Sequence, residues 1–254
     1  MGLQLTVVDA FTDQAFTGNP AAVAIADEFP EDHKMQLIAQ EMNLSETAFV
    51  VPRPDGAHDL RWLTPRVEVD LCGHATLASA HVLGGSATFH TRSGIITCKR
   101  GAHRMIEMDF PADPPSPTDI PTSIALANPR WYGRGRFDIL IQLQTSEEVR
   151  TFEPDLPMLA ALGSRAVVIT AAGDSPGIDC VSRVFGPNVG IDEDPVTGSA
   201  HCMLAVFWGD LTGKDELVGE QASQRGGTVH MSRRDDRVIL GGQAVEVSKV
   251  VFLA

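Results

Sequence analysis

The chain has 254 residues, 43% of them hydrophobic and 21% charged, which fits an ordinary folded protein and argues against disorder. A net charge of −13 argues against a nucleic-acid partner, since phosphate binding draws on clustered Lys and Arg. No run approaches the ~18 apolar residues of a membrane span. The cysteines at 72, 98, 180 and 202 form neither a CxxC pair nor a contiguous Cys/His zinc spacing. The opening MGLQLTVVDAFTD lacks the basic and apolar regions of a secretion signal, so the expected compartment is reducing cytosol.

Short β-branched or alternating runs dominate the first half. Strands are expected over Leu3–Val8, Ala21–Ala26, Thr47–Val51, Ile95–Lys99 and Arg104–Met108, and a helix over Lys34–Met42. Glu46 stands where that helix hands over to a strand. Alternation places it on the face of Ala48 and Val50. Desolvation of a carboxyl on an apolar face suits it to accept and return a proton near neutrality; a frayed strand end or a cap is the plainer reading.

Next comes Arg61-Trp62-Leu63-Thr64-Pro65-Arg66-Val67-Glu68-Val69-Asp70, followed by Leu71-Cys72-Gly73-His74-Ala75-Thr76. Arg183, Pro187, Val189 and Asp192 repeat Arg61, Pro65, Val67 and Asp70 at one offset, and an insertion then brings Gly198 into line with Gly73. One repeat of that length is too long for a solenoid. It predicts two homologous halves and a site where their glycine-led helix starts meet.

Both helices that follow, His74–Leu83 and Ser199–Trp208, lack any Asp, Glu, Lys or Arg and are therefore expected to be buried. Gly84 and Gly209 read as their stops. A buried start preceded by glycine leaves amides open to an anionic ligand, although Asp70, Asp194 or Ser199 as a cap would serve equally well.

Five prolines from Pro111 to Pro121 mark a linker near the midpoint. The expected domains are 1–115 and 116–254, with a terminal strand able to cross between them. The second half is read as strands over Phe137–Gln144, Ala166–Thr170, Thr228–Met231, Arg237–Leu240 and Val245–Phe252, with a helix over Met158–Leu162. Gly84-Gly85, Gly226-Gly227 and Gly241-Gly242 read as turns. The fold class is α+β.

Four strings resemble the phenazine-biosynthesis isomerase (PhzF-like) family in order and spacing. They are Phe16-Thr17-Gly18-Asn19-Pro20, Ser45-Glu46-Thr47-Ala48-Phe49, Asp70-Leu71-Cys72-Gly73-His74-Ala75-Thr76 and Asp194-Pro195-Val196-Thr197-Gly198-Ser199-Ala200. The resemblance implies two pseudo-symmetric lobes of diaminopimelate-epimerase-like fold, each a barrel-like sheet around a buried helix. It also implies an active site between the lobes, no metal or organic cofactor, and a homodimer. The founding activity isomerises a dihydro-hydroxyanthranilate by moving a proton between ring carbons. Glu46 matches the residue that shuttles the proton. His74, Asp194 and Ser199 match residues that position the substrate or assist the transfer. Gly73 and Gly198 match backbone donors, with Asn19 and Thr197 as further substrate contacts.

Two departures bear on the substrate. The chain is shorter than the phenazine enzyme, and members of the superfamily act on molecules unrelated to phenazines, so the implied reaction transfers better than the implied substrate. Superfamily racemases place a thiol before each helix-start glycine. Here Cys72 precedes Gly73 but Thr197 precedes Gly198, which leaves a one-thiol epimerase or dehydratase as an alternative. A catalytically silent protein that binds a small acid is another.

Overall fold

A computed structural model describes residues 2–119 and 129–253; Pro121 of the expected linker lies outside them. The chain forms two compact units, the first of residues 1–109 and 241–254, the second of residues 110–240. The division thus falls at 109/110 where 115/116 was expected, and the closing segment belongs to the first unit.

In chain order the elements begin with β1 (Leu3–Ala10), β2 (Asn19–Ile25), α1 (Asp32–Met42), β3 (Glu46–Pro52), β4 (His58–Leu63) and β5 (Glu68–Val69). There follow α2 (Gly73–Val82), β6 (Ala87–Thr91), β7 (Gly94–Arg100), β8 (Ile106–Pro111), β9 (Ser116–Pro117), β10 (Trp131–Arg134) and β11 (Ile139–Gln142). The remainder is α3 (Ser146–Arg150), α4 (Leu156–Ala160), β12 (Val167–Ala172), β13 (Cys180–Gly186), β14 (Ile191–Asp194), α5 (Gly198–Thr212), β15 (Glu216–Gln221), β16 (Gly227–Arg234), β17 (Arg237–Gly242) and β18 (Ala244–Phe252). No described helix is long and apolar enough to cross a membrane.

The two units repeat one pairing scheme. In the first, β1 pairs antiparallel with β2, β2 runs parallel to β3, β3 pairs antiparallel with β4, and β4 lies antiparallel to β5 and parallel to β6. In the second, β10, β11, β12, β13, β14 and β15 pair in the same sequence of senses. Each parallel step is bridged by helix, because parallel neighbours require a long crossover. β18 returns to pair antiparallel with β1, supplying an outer partner as β9 does for β10.

Burial explains the elements. α1 spaces Met35, Ile38 and Ala39 along one face and packs them with Leu5, Phe49 and Leu63. It stops at Asn43, which adopts the left-handed conformation and returns its N–H to the Ala39 carbonyl. In the second unit Ile139, Ile141, Val167, Ile169 and Phe185 form the centre of a comparable cluster. As expected, α2 is buried continuously from Gly73 to Ala80.

The strand register relocates the repeat's insertion. Trp62 pairs with Val69, and Val184 pairs with Asp194. The extra residues therefore enter before Glu193, at a bulge and the short turn Pro187–Val189, so Glu193 takes the place of Glu68 and Asp194 that of Val69. A matching brace agrees: Arg61 holds Glu68 through two bonds of 2.8 and 2.6 Å, and Arg183 holds Glu193 through two of 2.7 and 2.9 Å. Asp70 and Asp192, which match in sequence, are not structural counterparts.

Three local expectations change. Gly209 does not end its helix; α5 continues to Thr212 and stops at Gly213, whose φ is 73°. Gly209 is inside because a Cβ there would approach the Arg233 guanidinium carbon to 2.9 Å. Gly241-Gly242 is strand, not turn. A Cβ on Gly242 would lie 2.4 Å from the Phe11 ring, so close packing selects the glycine. The strand expected from Arg104 starts at Ile106, since His103 and Arg104 both take positive φ in a tight turn.

Candidate active site

In the first unit, three elements converge on one imidazole. Glu46 opens β3, His74 is the second residue of α2, and Asn19 opens β2. β3 is buried from Glu46 to Val50 on both faces, so alternation did not single out Glu46 as it would on a half-exposed strand. Glu46 is 8% exposed and His74 4%. His74 Nε2 lies 3.0 Å from Glu46 Oε2, and its Nδ1 lies 3.1 Å from the Asn19 amide and 3.6 Å from Cys72 Sγ. The ring thus turns its Nε2 edge to the carboxylate and its Nδ1 edge to Asn19 and Cys72.

Burial pulls the His74 value down, yet Cys72 and then the Glu46 carboxylate at 3.0 Å together outweigh it, and His74 is held well above 6.5. The neighbouring Cys72 thiol is pushed up, first by burial and then by the Glu46 charge. A thiol in that setting stays protonated near neutrality. The site thus pairs a carboxylate with a proton-retaining imidazole, beside an inert thiol.

Cys72 also forms the start of α2. It is extended, and no side chain caps the first turn. Thr76 Oγ1 donates to the Cys72 carbonyl at 2.5 Å. In the second unit Thr197 takes the same role for α5, again without a side-chain cap, and His201 Nδ1 donates to the Thr197 carbonyl at 2.8 Å. Burial lowers His201 to about 4, so it is neutral and structural.

Around the α5 start, the Thr197 hydroxyl donates to Asp194 Oδ2 at 2.5 Å. Gln221, fully buried on β15, fixes this turn: its Oε1 accepts from Thr197 N at 2.8 Å, and its Nε2 donates to the Asp194 carbonyl at 2.6 Å. Ser199, half-buried, accepts from Arg165 Nη2 at 2.8 Å. Thus Asp194, Thr197, Gly198 and Ser199 share one turn of the second unit, while Glu46, His74, Gly73 and Asn19 gather in the first. Reading the sequence missed Gln221 and the Arg165 contact. A lone glutamine at the end of an alternating strand carries no signal of its own.

Glu46, Cys72 and His74 place ligand atoms within 4.8 Å of one another, the spacing of a possible cation site. The imidazole argues against it. Nδ1 faces Cys72 and Nε2 faces Glu46, and a single ion reaches only one ring nitrogen.

A doubled unit of strands with a buried helix in each is the architecture of the diaminopimelate-epimerase-like class. A hydroxyproline epimerase from Agrobacterium vitis, solved with trans-4-hydroxy-L-proline, shares the fold at a TM-score of 0.68 and 10% identity, over 99% of this chain and 92% of that one. Within the class, the chain belongs to the phenazine biosynthesis-like (PhzC/PhzF) family, whose pattern matches residues 8–250. A Halalkalibacterium halodurans protein described as an uncharacterized isomerase is 45% identical over 267 aligned residues, covering 100% of this chain and 99% of its own. A PhzF-family crystal structure from Enterococcus faecalis superposes with a TM-score of 0.94 at 38% identity, covering 100% of both chains.

Proposed function

We propose that the chain is an isomerase that moves one proton between carbons of a small carboxylate-bearing metabolite, with Glu46 taking and returning the proton. The observation that carries this reading is the buried contact of 3.0 Å between Glu46 and His74. Glu46 accepts the proton from carbon, the electron pair moves through the substrate's conjugated system, and the same carboxyl returns the proton to a second carbon. One C–H bond breaks and another forms, so the step needs no oxidant or reductant. His74, its value raised and its Nε2 at 3.0 Å, steadies the charge on Glu46 before transfer. Asp194 assists, fixed by Thr197. The uncapped starts of α2 and α5, at Gly73 and Gly198, each suit an anionic group through their free amides and the positive end of the helix.

The duplication supports a single proton carrier. Thr47 pairs with Leu63 as Val167 pairs with Phe185, so Ala166 stands in the place of Glu46. No second acid is supplied there.

The test begins with a metabolite retained by the purified protein and identified by mass. Incubated in D2O, the wild type should wash deuterium into that ligand. Glu46→Gln keeps the shape and removes the base, and it should lose at least the ~10²–10⁴-fold typical of general acid–base catalysis while still binding. Near-normal exchange by Glu46→Gln would remove the carboxylate from the mechanism. A wild type that binds without exchange would be a silent binding protein.

A further inference from the structure

The duplicated register brings out a residue that the four motifs do not contain. Where Glu46 at the start of β3 contacts His74 on α2, Arg165 in the lead-in to β12 contacts Ser199 on α5. Position 199 repeats position 74, each one residue past the helix-start glycine. In both units, then, the side chain that follows the helix-start glycine is held from near a strand's beginning, but Arg165 reaches Ser199 from one residue ahead of the place that Glu46 takes in the first unit.

We propose that Arg165, anchored by Asp138, is a positioning residue that commits Ser199 to donating its hydroxyl proton to an anionic group of the substrate. This rests on the reading above, in which the uncapped start of α5 suits the anionic group of a carboxylate-bearing molecule.

The argument is one of donors and acceptors. A serine hydroxyl has one proton and two lone pairs, whereas a guanidinium only donates. Arg165 Nη2 donates to Ser199 Oγ at 2.8 Å, so that oxygen is the acceptor and its proton must point elsewhere. Among the described residues none takes it. Two carbonyls just ahead of Ser199 in the chain take other donors: Pro195 O accepts from Ser223 Oγ at 2.8 Å, and Thr197 O accepts from both the amide and Nδ1 of His201. Ser199 is half-buried, open to a ligand. A hydroxyl that accepts from a cation is polarised into a stronger donor, and the group best placed to receive that proton beside uncapped helix amides is an anion.

Arg165 is not itself the anion's grip. Its Nε and Nη2 reach Asp138 Oδ1 and Oδ2 at 2.9 and 2.5 Å, and Asp138 is 2% exposed. A buried carboxylate in a two-point contact neutralises the guanidinium and locks its plane. Phe137 stacks on the same guanidinium at 5.3 Å. What Arg165 delivers is direction, not charge.

A double-mutant cycle on the full chain tests this, with sodium benzoate as the carboxylate probe and sodium chloride as the ionic-strength control. The amide resonances of Ser199 and Ala200 in the 15N-labelled protein report binding. Wild type should show saturable shifts. Arg165→Lys retains a cation but loses the planar fork, and should weaken benzoate about tenfold, as should Ser199→Ala. If Arg165 acts through Ser199, Arg165→Lys added to Ser199→Ala should cause no further loss. Wild-type affinity in Arg165→Lys, or losses that multiply in the double variant, would overturn the inference and leave the function reading intact. No saturable shift in the wild type would overturn the carboxylate site itself and this inference with it. Should Arg165→Lys lose the native spectrum, Asp138→Asn slackens the same fork with Arg165 in place and should give the same tenfold weakening.

Discussion

Cys72 and His74 stand two residues apart on α2 and divide the chemistry of the first unit. Both are buried, and burial disfavours the charged form of each, which pushes the thiol's value up and the imidazole's down. For the thiol, burial first and the Glu46 charge second outweigh the opposing pull of His74 at 3.6 Å, and its value moves up. A one-thiol epimerase needs a thiolate here. We therefore expect Cys72→Ala to keep turnover within about tenfold of wild type, the equivalent of ~1.4 kcal/mol. A loss of several orders of magnitude with the fold intact would restore the thiol reading.

His74 makes the opposite prediction in pH. Its folded value is raised, so the stability it contributes is fully present below the unfolded value of about 6.5 and is lost as pH rises through the folded value. The gap in unfolding free energy between wild type and His74→Gln should be widest near pH 6 and shrink on the way to pH 9. Denaturant titrations across that range read it directly, and a gap that widens with pH would mean that His74 is neutral in the folded protein. At this scale Glu46 and His74 were legible as residues, since their motifs name them. Their contact of 3.0 Å was not, because His74 lies beyond β4 and β5 in the chain and only the packing of α2 against β2 and β3 brings it to Glu46.

Among the elements, the glycines separate what a local signal can and cannot say. Gly84 and Gly85 end α2 with positive φ, as a glycine pair after an apolar run suggests. Gly209 and Gly242 look identical to them in sequence, yet each serves as empty space for a neighbour, Arg233 in one case and Phe11 with Leu77 in the other. Those neighbours are remote in the chain, so no local pattern distinguishes a stop from a contact. Gly242→Ala should therefore destabilise the protein by ~1–3 kcal/mol, the usual range for overpacking a filled core. Urea unfolding checks it, and a change below ~0.5 kcal/mol would mean that Phe11 moves aside freely. The missed strands have a similar cause. β4 and β13 carry Arg61 and Arg183 in their middles, which breaks an apolar run, and each arginine finds its partners elsewhere in the chain, a glutamate on the next strand together with Asp32 in one case and the Phe152 carbonyl in the other.

On the scale of the whole chain, the sequence by itself determined the α+β class, the duplication, the burial of α2 and α5, and the family. Those follow from composition, from uncharged helical runs and from motifs, all of which are written in consecutive residues. The tertiary structure decided what depends on register. It placed the repeat's insertion before Glu193, put Ala166 where Glu46 would recur, returned β18 to β1, and set Gln221 and Arg165 against the turn at Asp194 and Ser199. A strand's side chains change face with every residue, so one inserted residue alters every contact that follows. That geometry is fixed by which strands pair and at which residue, and pairing is a property of the folded chain.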